Sequence, residues 1–196
     1  LFNYCEGSDG NPDLPSKLAR TGAAAAFSLV GTRVALLYKR HTEPDETLLQ
    51  ALEAALSERG CDVFIDRHLR IGLDWAREIE RTLRSADAVI PLLSPSAATS
   101  EMLAYEIEIA NEAAQQQAGR PRLLPVRVNW EGPLPDSLAS ILNPIQYTLW
   151  HGPEDTAAVV AEVSSALADP GAGSIQRSRA SEPPGGAMPL DSQYYV

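Results

Sequence analysis

The sequence predicts an α/β fold in which a five-stranded parallel sheet is covered by helices on both faces. Three observations predict it. Short apolar runs recur along residues 31–168, amphipathic stretches separate them, and the two kinds alternate strictly. The apolar runs are continuous rather than alternating, as strands buried on both sides require.

The first run, residues 33–38 (RVALLY), reads as a strand. Over 45–59, Leu48, Leu49, Leu52, Ala55 and Leu56 stand at helical spacing, and Gly60 follows as a stop. Residues 62–65 (DVFI) form the second strand, and 66–72 a polar loop. Trp75, Ile79 and Leu83 recur every four residues on the second helix. The third strand is 88–93 (AVIPLL), with Pro91 awkward for a central position. Residues 94–100 read as a turn, and Ser100 as the N-cap of a helix running to about Gln117. A fourth strand covers 123–128, with Pro125 an uncomfortable member. A loop with a short helical piece follows over 132–143, then a fifth strand at 145–149 and a last helix at 156–168.

The flanks differ. Residues 1–30 hold no sustained periodicity and read as a poorly ordered extension, while 169–196 are rich in Pro, Gly, Ser and Arg and read as a linker. The first residue is Leu, so a fragment of a longer chain is expected. The 196 residues carry a net charge of −10 and two cysteines. That balance argues against nucleic-acid binding, which needs a basic face for the phosphates. Two cysteines in unlike contexts make no disulfide scaffold, and Cys61 at a strand start reads as a small apolar group, so a reduced, cytoplasmic protein is expected. No apolar span of bilayer length exists, and the apolar run near Ala23 leads into a strand without a cleavage site.

Several chemistries lack their residues. Neither a phosphate loop nor a G-x-G-x-x-G follows a strand, and His41, His68 and His151 form no local metal-ligand cluster. A phospho-receiver needs Asp after the third strand and Lys after the fourth; Ser94 and Asn129 stand there. In a parallel sheet, ligands lie beyond the carboxyl ends of the strands, where strand order reverses. Three segments meet that description. The first strand ends Tyr38-Lys39-Arg40. The second ends in Asp66, before a loop with Gly72 and a helix bearing Trp75. The third ends Ser94-Pro95-Ser96, before the helix that carries Met102, Tyr105 and Glu106.

In that order and spacing the chain resembles the Toll/interleukin-1 receptor (TIR) domain family, its bacterial members in particular. The motifs are a strand ending in Tyr plus basic residues, a V-F-I-D strand before a Gly-containing loop, and L-L-S-P before a helix of the form S-x-W-C-x-x-E-[LI]. The resemblance covers about residues 31–168 and implies a flavodoxin-like three-layer fold. The chain departs from it at Met102, where the family often has Trp.

Many members of the family cleave NAD+ between nicotinamide and ribose through a glutamate on the third helix, and the motif places that role on Glu106. The resemblance also implies self-association as the activating switch. The tail, Gly185 to Val196, looks like the lead-in to an ATPase-like sensor module found downstream of some bacterial members, which implies a part in defence against phage. NAD+ is then a substrate, and no cofactor or metal is expected.

Residue by residue the readings stay open. Glu101 and Glu108 share one helix face and Glu106 lies about 160° from Glu108, beside the stripe of Leu103, Ile107 and Ala110; it is either the catalytic carboxylate or part of an acidic, solvated helix. Lys39 and Arg40 are either partners of the pyrophosphate or ordinary loop cations. Asp66 is a substrate contact or a loop brace, Gly72 serves a backbone need, and Trp75 is a stacking surface or the anchor of its helix. The competing function is a non-catalytic module that signals by TIR–TIR assembly.

Overall fold

The computed structural model describes residues 29–65 and 75–169. The strands are β1 (Arg33–Leu37), β2 (Asp62–Ile65), β3 (Ala88–Leu93), β4 (Arg122–Leu123), β5 (Val126–Val128) and β6 (Thr148–Trp150). The helices are α1 (Asp45–Glu58), α2 (Trp75–Ser85), α3 (Pro95–Ala98), α4 (Glu101–Gln116), α5 (Asp136–Leu142) and α6 (Thr156–Ala168), the last preceded by a 3-10 turn at Pro153–Asp155. All pairings are parallel, in the order β2-β1-β3-β5-β6, with β4 also on β3.

Both sheet faces are buried, as the apolar strand runs require. Val34 and Leu36 of β1 pack in one cluster with Leu48, Leu52 and Leu56 of α1 and Val159 and Val163 of α6. Ala35 and Leu37 pack in the other with Ile79 and Leu83 of α2, Leu103 and Ile107 of α4 and Leu138 of α5. The result is a three-layer α/β fold. Gly60 ends α1 at φ +86°, where an added Cβ would come within 2.9 Å of Val30, so a side chain is excluded twice over.

Three expectations change in detail. The last strand, expected at 145–149, runs Thr148–Trp150. The single fourth strand is two, β4 and β5, parted at Leu124 and Pro125. Ala88 pairs with Arg122 before the gap and Leu92 with Val126 after it, in the same register, so Pro91 falls opposite Pro125. A proline has no N–H for the ladder, and the sheet accommodates two by interrupting the pairing where they meet. The segment 94–100 is not merely a turn. It holds α3, whose N-cap Ser94 accepts from the Ala97 N–H at 3.2 Å. Cys61 is buried, and burial pushes its thiol pKa up, which keeps it a neutral packing group.

Candidate functional site at the carboxyl edge of the sheet

The chain leaves β1 toward β2 on one side and returns to β3 on the other, so strand order reverses between β1 and β3. The crevice beyond their carboxyl ends is where such sheets bind ligands. Its floor is a polar network. Ser94, at the end of β3, donates its hydroxyl to Asp45 Oδ2 at 2.8 Å and lies 3.1 Å from the Ser96 hydroxyl. From the end of β1, Lys39 Nζ donates to the Ser96 carbonyl at 3.2 Å. Asp45 and Ser94 are 0% and 2% exposed.

Asp45 is the residue that sequence reading missed. It opens α1, where an acid suits the positive end of the helix. Its Oδ1 is buried with no hydrogen-bond partner. Burial is the main cause that raises its pKa from 3.8 to about 6, with Glu43 adding to it; the Ser94 hydrogen bond and Lys39 act the other way. An acid at a helix start is the one signal the sequence offered, and it is shared by many solvated caps.

The β1–α1 loop is braced to hold this arrangement. The His41 N–H donates to Glu46 Oε1 at 2.7 Å, with His41 at φ 58°, and Thr47 donates to Glu43 at 2.8 Å. Backbone in that left-handed region persists only where its surroundings enforce it.

Ser100 caps α4 by accepting from the Leu103 N–H at 3.4 Å. In the second turn of α4 stands Glu106, 4% exposed, whereas Glu101, Glu108 and Glu112 of the same helix are exposed. The acid expected at the edge of the apolar stripe is thus enclosed, while Met102 and Tyr105 beside it are 43% and 50% exposed.

The structure brings Lys39 and Ser94 into one network. Tyr38 is half-buried against the α1-side core, and Arg40 is exposed. Asp66 and Gly72 lie outside the described residues, as does the Trp75 side chain, although Trp75 begins α2. A cleft of about 360 Å³, lined by Leu124, Pro125, Ile145, Tyr147 and Val163 among others, lies before β5 and β6 at the amino edge, away from this crevice. Among the described residues no three His, Cys, Asp or Glu side chains converge as a metal site would need, and no helix is long and apolar enough to cross a membrane.

Among solved structures, the TIR domains of the activated Roq1 resistosome, which directly recognises the pathogen effector XopQ, are 16% identical, with 70% of this chain and 84% of that one covered and a TM-score of 0.48. The flavoenzyme NAD(P)H:(acceptor) oxidoreductase FerB from Paracoccus denitrificans is 11% identical over 70% and 95%, at 0.41. The NADH:FMN oxidoreductase EMOB in its apo form is 13% identical over 76% and 97%, at 0.46. All three are too distant for any inference of function. No curated protein matches the chain. The family model described as the TIR domain matches residues 34–164, from β1 through most of α6, and the chain belongs to the TIR domain family.

Proposed function

We propose that the chain is a TIR-domain NAD+ glycohydrolase in which Glu106 is the catalytic carboxylate. The observation that carries this reading is the burial of Glu106 in a helix whose neighbouring acids are exposed. A carboxylate removed from bulk water stabilises a developing positive charge more strongly than a solvated one.

The chemistry asks for one such group. The bond between ribose C1′ and the nicotinamide ring nitrogen breaks with both electrons going to nitrogen, so the leaving group departs neutral and needs no general acid. The charge left on the ribose resembles that in glycoside hydrolysis. A carboxylate in a low-dielectric site stabilises it far more than one in water. Water then adds at C1′, and a proton is lost to solvent. Lys39, Arg40, Tyr38, Ser94, Asp66, Gly72 and Trp75 are the proposed substrate-binding residues, the two cations serving the pyrophosphate. The domain boundaries proposed are 31–168. Activation by TIR–TIR self-association, a cytoplasmic location, a C-terminal ATPase-like sensor module and a role in bacterial antiviral signalling belong to the same reading.

The second reading, a non-catalytic TIR–TIR signalling module, is favoured by the exposed Met102 and Tyr105 on α4. Incubating the chain with NAD+, dilute and then clustered, and following nicotinamide release separates the two. Release that rises on clustering and disappears in Glu106→Ala supports the enzyme. No release from the clustered form, or equal release from the variant, leaves the signalling module.

A further inference from the structure

The cleft of about 360 Å³ at the amino edge takes no part in the proposed reaction. One wall is formed by the segments that lead into β5 and β6, with Leu124, Pro125, Ile145 and Tyr147, and the other by the last turns of α6. The sheet does not fill it, since β5 starts only at Val126 and β6 at Thr148. Tyr147 is 41% exposed, and Leu124 and Ile145 are half-buried, so the apolar wall meets water. A space of this volume holds a small ligand or a few side chains.

The place where the chain leaves the fold points to an occupant. Asp169, the residue after α6, lines the cleft. The Arg122 guanidinium holds that exit in place by donating to the carbonyls of Ala166, Leu167 and Asp169. Residue 175 is six positions further on, so it reaches any point within about 20 Å. A tether that short keeps it at millimolar local concentration. The pair between them, Pro170-Gly171, is a signal for a turn that reverses the chain.

Charge and period point to the same occupant. Over 174–179 (SIQRSR), positions 175, 177 and 179 are Ile, Arg and Arg, and those between are Ser, Gln and Ser. In extended chain alternate residues share a face, so this stretch puts one apolar group and two cations on one side and small polar groups on the other. No acid stands between Asp169 and Glu182 to neutralise them. The cleft offers the complement: an apolar wall and, on its α6 side, Glu162, which is exposed and has no salt bridge among the described residues.

We propose that residues 174–179 dock in this cleft of their own chain, Ile175 against Ile145 and Tyr147 and Arg177 against Glu162. Six anchored residues within a stretch of linker composition give whatever follows a fixed point of departure, at the edge of the sheet away from the crevice.

The test is NMR on the full chain. NOEs from the Ile175 methyls to the Tyr147 ring are expected, and Ile175→Asp should abolish them and shift the Gln146 and Ala166 amides. Glu162 is exposed, so Glu162→Arg leaves the fold intact; it should move the Gln146 amide most of the way to its Ile175→Asp position, and adding Arg177→Glu should bring it back. Absence of the Ile175–Tyr147 NOEs, or cleft amides identical in the full chain and Ile175→Asp, overturns the proposal. NOEs found only between labelled and unlabelled copies also overturn it, in favour of a second copy's tail. A double variant that recovers nothing overturns the pairing of Arg177 with Glu162.

Discussion

The Ser94 hydroxyl donates to Asp45 Oδ2 at 2.8 Å, tying the first turn of α1 to the carboxyl end of β3 across 49 positions of sequence. Ser94 also accepts from the Ala97 N–H, so one side chain fixes the start of α3 and the floor of the crevice together. The second Asp45 oxygen is buried without a partner, so folding disfavours the charged form of this carboxylate.

That burial has a pH signature. The Asp45 pKa rises from 3.8 to about 6 on folding, chiefly through burial. Between those values the folded state holds a proton that the unfolded state has lost. The contribution is therefore fully present below pH 3.8 and lost as pH rises through about 6, a change of about 3 kcal/mol. Asp45→Asn keeps an acceptor for Ser94 and cannot ionise. Urea denaturation from pH 4 to 8 should show the stability difference moving in favour of the Asp45→Asn variant by up to that amount.

For the proposed reaction, Glu106→Gln preserves shape and removes the charge. Nicotinamide release should fall by at least about a hundredfold, with the fold retained because the isosteric side chain keeps the packing. Glu108→Gln, at an exposed position of the same helix, should leave release unchanged within about twofold. Steady-state kinetics on clustered protein, paired with melting curves, checks both.

Arg122 holds the end of the last helix. Its guanidinium donates to the carbonyls of Ala166 at 2.6 Å, Asp169 at 2.8 Å and Leu167 at 3.1 Å, so a cation from β4 caps the negative end of α6. Arg122→Met should cost about 2 kcal/mol and speed amide exchange in the last turn of α6 ahead of its first. Hydrogen exchange read by mass spectrometry resolves the two turns.

Leu52 is fully buried where α1 meets the sheet. Leu52→Ala leaves a cavity among branched side chains that cannot all close on it, and should lower stability by about 3 kcal/mol. Denaturant titration gives the value directly.

The alternation of buried strands and amphipathic helices was legible in the sequence because each element writes its own period. The α1 stop at Gly60, the Ser100 cap and the span of α6 all follow from neighbours within a few residues. The split of the fourth strand was half legible. Pro91 and Pro125 each looked misplaced, but that they face each other depends on register. Glu106 was legible as a candidate through its motif and through helical geometry, which put it at the edge of the apolar stripe.

Local spacing determined the layers, the helix boundaries and the segments that gather at one edge of the sheet. The tertiary structure decided that Asp45 meets Ser94, that Glu106 is buried, and that Arg127 meets the rings of Trp130 and Tyr147. The physical reason is range. Helix periodicity and capping act over one or two turns, whereas burial of a charge and pairing of distant polar groups depend on which strands become neighbours, and no single stretch of chain contains that information.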